Sequence, residues 1–216
     1  FLGYLLLCTA IVTVCAQERE YVILVHGGAG AMSALKDNPE KESEYYLSLD
    51  SALMIGDQIL SSGGSGIEAV VAVITYLENN PLFNAGVGAT VTAAGTFELD
   101  ASIMDGKDLS AGAVAGLKKV RNPIKAALKV KDNSPHVMLS GSGADEFAAS
   151  QGLDMVEENM YFATPKTLKW VEEFKKESKK NGTVGCVVLD REGNLTAGTS
   201  TGGTFKKRWG RIGDSP

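Results

Sequence analysis

The hydrophobic pattern of the chain changes period several times, and this constrains the fold more than any other feature. The run "YVILVHGGAG" ends in glycines and predicts a buried strand, whereas "IEAVVAVITYLE" carries apolar residues at helical spacing. The stretch "ATVTAAGTFELDASIMD" predicts two strands about a glycine turn, and "TVGCVVLDREGNLTAGTST" predicts a hairpin with its turn at "REGN". Because helices and strands mix without strict strand–helix–strand alternation, the sequence predicts the α+β class.

Composition places the chain among globular proteins. It has 216 residues, of which 44% are hydrophobic and 22% charged, which is enough for one sizeable domain. The formal net charge of -5 contains no long block of one sign. Nucleic acid is therefore not an expected partner.

The N-terminal residues 1–16, "FLGYLLLCTAIVTVCA", carry no charge and are too short to span a bilayer comfortably. They are typical of the apolar core of a signal peptide cleaved near Ala16, and the alternative is a buried first helix or strand. Cleavage would export the protein to a periplasm, the medium or a lysosome, without a membrane anchor. Cys186 would then be the only cysteine left, which excludes an intrachain disulfide.

Common catalytic and nucleotide-binding motifs are weakly represented. "HGGAG" follows a predicted strand but lacks the ending of a phosphate loop and the spacing of a dinucleotide loop, so a tight turn is the favoured interpretation. His26 and His136 are the only histidines, which makes a histidine metal site or a Ser-His-Asp triad hard to assemble. Glu98, Asp100 and Asp105 are better explained as carboxylates that decorate a strand than as metal ligands.

In the stretch "NGTVGCVVLD", Thr183 follows Gly182. The stretch joins a charged segment that is predicted to be helical to an apolar run that is predicted to be buried. By itself, Thr183 is best explained as a β-branched residue that opens a strand. Two further motifs follow it, "TSTGG" at residues 199–203 and "GRIGDSP" at residues 210–216.

Together with "HGGAG", "NPLFNAGVGA" and "ELDASIMDG", these motifs make the chain resemble the plant-type L-asparaginases. These are also called isoaspartyl peptidases or β-aspartyl-peptidases, and they belong to the N-terminal-nucleophile hydrolases. The resemblance runs from Tyr21 to Pro216 and implies a four-layer αββα sandwich, with the strand after Thr183 near its centre. It also implies that the precursor cuts its own Gly182–Thr183 bond. Residues 17–182 would then belong to the α subunit and residues 183–216 would begin the β subunit, in a dimer of αβ heterodimers.

The resemblance also implies the chemistry of the site. Thr183, once its α-amine is free, carries its own base, which a threonine hydroxyl needs in order to act as a nucleophile. Thr201 matches the threonine that orients this nucleophile, and Asn84 matches an asparagine that lines the pocket. Arg211 and Asp214 match the pair that holds the α-carboxylate and α-ammonium groups of L-asparagine or a β-aspartyl dipeptide. We expect these side chains to converge on one pocket.

A structural sodium ion is implied as well, and no cofactor is implied for catalysis. The loop between residues 77 and 87 resembles the sodium loop of the family, in which main-chain carbonyl oxygens provide the hard ligands that an alkali cation needs. The residues that match are Leu77, Glu78, Asn80, Phe83, Ala85 and Val87.

Two departures from the family leave alternatives open. Cys186 stands where a small residue such as alanine is usual, and family members continue beyond the position of Pro216. That further part supplies a second threonine–glycine pair, so we expect the C-terminal part of the sandwich to be missing. The alternatives are an amidase of the glycosylasparaginase type, which shares "TSTxG" and "GRxGDSP" but lacks "HGGAG", and a non-catalytic fragment that binds without turnover.

Overall fold

The computed structural model of the protein describes residues 20–28, 38–172 and 182–214. The predicted signal peptide therefore lies outside the described residues. Within the described ranges, none of the helices combines the length and the apolar character that crossing a membrane requires.

Helices and strands are mixed along the chain, as the hydrophobic pattern predicts. The helices are α1 (Pro39–Ser61), α2 (Gly66–Glu78), α3 (Pro123–Asn133), α4 (Gly141–Ser150) and α5 (Pro165–Glu172). The strands are β1 (Val22–His26), β2 (Leu99–Asp105), β3 (Ala111–Leu117), β4 (Met138–Ser140), β5 (Val184–Leu189) and β6 (Leu195–Thr201). A 3-10 turn spans Asn159–Phe162.

The strands form one mixed sheet in the order β1-β5-β6-β2-β3-β4. All neighbours are antiparallel except β3 and β4, which are parallel. The α+β class is thus confirmed, but the strand after Thr183 lies second from the β1 edge and not at the centre. The first strand expected in "ATVTAAGTFELDASIMD" is also reduced, because Val91 and Phe97 form only an isolated bridge before β2.

The sheet has one covered and one open face. On the covered face, alternate residues of β2 such as Leu99 and Ile103 are at most 1% exposed and pack against the helices. The open face carries apolar side chains as well, and an apolar sheet face is what a sandwich buries between its two sheets. The described residues thus form a sheet with its helix layer. The large apolar side chains of the open face that remain exposed are Val22, Leu24, Met104, Met138, Val187 and Leu195.

Helix α2 fixes the distance between the helix layer and the sheet. A capping box starts it, in which Ser65 Oγ accepts from the main-chain N–H of Glu68 and the Glu68 carboxylate accepts from that of Ser65. Its buried face meets β6 at Gly198, where an added Cβ would lie 2.6 Å from Val70 Cγ1. Glycine therefore lets helix and strand approach closely next to the Thr201 end of β6.

Helices α2 and α3 are joined by a buried carboxylate. Glu78 Oε1 accepts from the main-chain N–H of Ile124 at 2.9 Å, and Oε2 accepts from Asn122 Nδ2 at 3.1 Å. Burial raises the pKa of Glu78 to about 7, although these hydrogen bonds oppose the shift. The end of α2, where the loop of residues 77–87 begins, is thereby tied to the start of α3.

We predict that Gly112→Ala destabilises the fold, because a Cβ there would meet the main-chain oxygen of Ala127 and lie 2.5 Å from the nitrogen of Lys131. These atoms belong to the backbone of α3 and cannot move aside as a side chain could. Overpacking of this kind costs about 1–3 kcal/mol, which urea unfolding would measure.

The matched control is Gly143→Ala in the first turn of α4, where an added Cβ meets nothing within 4 Å. It should leave stability unchanged or raise it by about 0.5 kcal/mol, since alanine favours helix more than glycine does. Equal unfolding midpoints for the two variants would contradict the close packing of α3 on β3.

Candidate active site

The hairpin of β5 and β6 brings the two predicted threonines together. Thr183 directly precedes β5 and Thr201 ends β6, and Val184 pairs with Ser200 in the register between them. The Thr183 hydroxyl donates to Thr201 Oγ1 at 3.1 Å, which is within hydrogen-bond range. Thr201 Oγ1 also accepts from the main-chain N–H of Gly203 at 2.9 Å. The orientation of the buried Thr201 hydroxyl is therefore fixed from two sides.

Asn84 lies against the carbonyl group that precedes Thr183. Its Nδ2 donates to the Gly182 oxygen at 2.7 Å and to the Gly203 oxygen at 2.9 Å, and its Oδ1 accepts from the main-chain N–H of Thr90 at 2.7 Å. The side-chain amide is thus held in one orientation. Its donor points at the oxygen that would gain negative charge if the Gly182 carbonyl were attacked.

The start of the "HGGAG" segment lies close to this same peptide. Gly28 has φ +115°, and a Cβ there would lie only 3.1 Å from Gly182 Cα. His26 Nδ1 lies 3.0 Å from the Thr183 carbonyl oxygen, and since a carbonyl only accepts, the ring donates from Nδ1. The start of this motif therefore supports the Gly182–Thr183 segment.

Arg211 and Asp214 bind each other in this structure. Arg211 Nη2 donates to Asp214 Oδ1 at 3.1 Å, with side chains that are 38% and 90% exposed. The main chain between them lies against the site, because a Cβ on Gly213 would come 2.5 Å from Thr201 Cγ2. The main chain at Gly213 therefore lies against Thr201, but within the described ranges neither the Arg211 nor the Asp214 side chain hydrogen-bonds to Thr183.

Several main-chain oxygens of the loop from Leu77 to Val87 lie close to other main-chain atoms of the loop and of Gly88. The Glu78 oxygen accepts from the N–H of Val87 at 2.7 Å. A Cβ on Gly88 would lie 2.6 Å from the Phe83 oxygen and 2.7 Å from the Pro81 oxygen. Main-chain carbonyl oxygens are the hard ligands that an alkali cation prefers. No group of three or more His, Cys, Asp or Glu residues able to hold a metal occurs in the described part of the chain.

Cys186 places a thiol on strand β5 of the same hairpin. It is buried, and burial raises the pKa of its thiol to about 12. A thiol with that pKa is protonated at neutral pH and does not act as a nucleophile. The hydroxyl of Thr183 is therefore the better candidate.

The sequence did not predict that two charged side chains would be buried beside the site. Asp100, interpreted there as decoration of a strand face, is 0% exposed, and Lys207 is 4% exposed. Lys207 Nζ lies 3.3 Å from Asp100 Oδ2. Nothing in the sequence separates Lys207 from its neighbours Lys206 and Arg208, so only the structure identifies it.

Comparisons with known proteins identify the family to which the chain belongs. A family model described as asparaginase matches residues 19–216. The isoaspartyl peptidase of Salmonella typhimurium is 44% identical over 209 residues, which cover 90% of this chain and 66% of that protein. The isoaspartyl peptidase/L-asparaginase of Rattus norvegicus is 45% identical over 203 residues, covering 90% of this chain and 60% of that protein. The human protein of the same name is 42% identical over 203 residues, covering 90% of this chain and 64% of that protein.

The chain thus spans 60% to 66% of the length of these curated relatives. The family match covers both threonines, the asparagine against Gly182 and the Arg211–Asp214 segment. On this evidence, the chain belongs to the asparaginase family.

Proposed function

We propose that the complete protein is a self-processing threonine hydrolase that cleaves the side-chain amide of L-asparagine and the isopeptide bond of β-aspartyl dipeptides. The observation that carries the proposal is the Thr183–Thr201 hydroxyl pair, at 3.1 Å, next to a Gly182 carbonyl that accepts from Asn84. The names of the relatives, isoaspartyl peptidase and L-asparaginase, support the choice of substrates.

Self-cleavage would begin with attack of Thr183 Oγ1 on the carbonyl carbon of Gly182. Asn84 Nδ2, 2.7 Å from the carbonyl oxygen, would stabilise the negative charge that develops there. The C–N bond then breaks as the Thr183 nitrogen takes a proton, which leaves an ester between Gly182 and Thr183 Oγ1. Water hydrolyses this ester and yields the Gly182 carboxylate together with a free threonine amine and hydroxyl.

Turnover would use the same hydroxyl with the new amine as its base. Thr183 Oγ1 attacks the side-chain carbonyl of the substrate, and the amine passes the hydroxyl proton to the leaving group. Ammonia leaves from L-asparagine, and an amino acid leaves from a β-aspartyl dipeptide. Water then hydrolyses the β-aspartyl ester, releasing aspartate and restoring the hydroxyl.

Arg211 and Asp214 provide the recognition of both substrates. A guanidinium binds a carboxylate in a bidentate manner, and an aspartate complements an ammonium group. L-asparagine and the β-aspartyl dipeptides share a free α-carboxylate and a free α-ammonium group. Each side chain would exchange its present partner, at 3.1 Å, for a group of the substrate.

Three further features of the protein belong to the proposal. The carbonyls of the loop at residues 77–87 would hold sodium, which would stiffen the loop that carries Asn84 without taking part in the reaction. The apolar residues 1–16 would direct export, and the processed protein would form a dimer of αβ heterodimers that binds neither nucleic acid nor membrane.

Thr183→Ala in the complete gene product should leave one uncut chain that does not hydrolyse L-asparagine, because the attacking hydroxyl is gone. Thr183→Ser keeps the hydroxyl but loses the methyl group that restricts its rotamer, so it should be cut more slowly. Intact mass identifies the chains, and ammonia release measures the activity. Hydrolysis by wild-type protein whose Gly182–Thr183 bond remains whole would overturn the mechanism.

Asn84→Asp should slow the cut at Gly182–Thr183, because a carboxylate cannot donate to the Gly182 oxygen and would repel its developing charge. Loss of one such donor lowers rates by about 10²- to 10³-fold. The time course of cleavage, followed by intact mass, measures the effect.

The control is Asn133→Asp, the same change at an exposed side chain that hydrogen-bonds to Gln151. This variant should cleave its Gly182–Thr183 bond at the wild-type rate. A wild-type cleavage rate in Asn84→Asp would remove Asn84 from the reaction.

A further inference from the structure

A buried ion pair lies on the sheet face that carries Thr201. Asp100 on β2 pairs across the sheet with Thr201 on β6, so both side chains emerge on the same face. Lys207 Nζ reaches Asp100 Oδ2 at 3.3 Å, and the two side chains are 1% and 0% exposed. A buried carboxylate and ammonium are tolerated when they are paired and further hydrogen-bonded.

Asp100 uses both carboxylate oxygens to hold main chain. Oδ1 accepts from the N–H of Gly116 at 2.8 Å, and Oδ2 accepts from the N–H of Gly213 at 2.7 Å. Gly213 lies two residues after Arg211 and directly before Asp214. The carboxylate therefore anchors the segment between the two proposed substrate-binding side chains, and Gly213 is held against the methyl group of Thr201.

Lys207 connects this anchor to the threonine pair. Its Nζ donates to the Glu98 carbonyl oxygen at 3.0 Å, and a Cβ on Gly203 would lie 3.0 Å from Lys207 Cδ. Gly203 donates to Thr201 Oγ1 and accepts from Asn84. The lysine stem thus packs against the residue that orients Thr201, while its charge compensates the carboxylate that holds Gly213.

We propose that Asp100 and Lys207 are positioning residues that set where the Arg211–Asp214 segment lies relative to Thr201. The inference rests on the proposed function, in which that segment binds the α-carboxylate and α-ammonium groups of the substrate. A base or nucleophile role for Asp100 is disfavoured because both of its oxygens are occupied by main-chain donors and Lys207.

Asn at position 100 cannot replace the carboxylate. Gly116 and Gly213 each donate an N–H to a different oxygen of Asp100, but an asparagine offers one oxygen and one NH₂ group. One of the two main-chain donors would then face another donor. The double variant Asp100→Asn/Lys207→Met makes this change without leaving an unpaired buried charge, which keeps the protein foldable.

The test uses the processed complete protein and two readouts. Limited trypsin digestion, analysed by mass spectrometry, reports opening of the segment through cleavage after Arg208 and Arg211. In the double variant this cleavage should be about tenfold faster, since proteolysis follows the population of the open form. The KM for L-asparagine should rise about tenfold with kcat within about threefold of wild type, because the α-groups of the substrate are bound alike in the ground and transition states.

The control variant, Glu192→Gln/Lys107→Met, removes both charges of one exposed ion pair in the same way. It should match wild type in both readouts. Unchanged trypsin cleavage in the Asp100 variant, or a fall in kcat at unchanged KM, would overturn the positioning role. Faster cleavage together with no hydrolysis by wild-type protein would support the anchor and overturn the proposed function instead.

Discussion

The antiparallel register of the β5–β6 hairpin is the constraint on which the site depends. Asp190 fixes the turn by accepting from the main-chain N–H groups of Glu192 and Asn194, and Val184 then faces Ser200. Because side chains alternate along a strand, a slip of one residue would turn Thr201 into the helix layer. The hydroxyl pair therefore depends on a turn at the opposite end of the hairpin.

Around this hairpin the site is assembled from main chain and small residues more than from charged side chains. Gly203, at φ +78°, accepts from Asn84 through its carbonyl and donates to Thr201 through its N–H. Gly28 and Gly213 allow close approach of two other segments. A site of this kind has no distinctive amino-acid composition. For this reason, histidine, cysteine and metal-ligand patterns in the sequence did not locate it.

Local sequence patterns predicted the helices and strands better than they predicted which side chains would be buried. Alternating apolar residues and the "REGN" turn were sufficient to predict the hairpin. The order of the motifs was sufficient to identify the family. The burial of Asp100 was not predictable, because alternation assigns it to the open face and only the later segment around Gly213 covers it. The mutual pairing of Arg211 and Asp214 also depends on a loop conformation that neither residue encodes alone.

Under the proposed function, that pairing would have a consequence for selectivity. Because Arg211 and Asp214 neutralise each other, a ligand must compensate for the contact it breaks. An anion that carries only a carboxylate would engage the arginine but leave the aspartate without a cation, and a simple amine would leave the arginine without an anion. A zwitterion compensates both at once. If Arg211 and Asp214 bind substrate as proposed, their resting salt bridge would favour zwitterions over metabolites that bear a single charge.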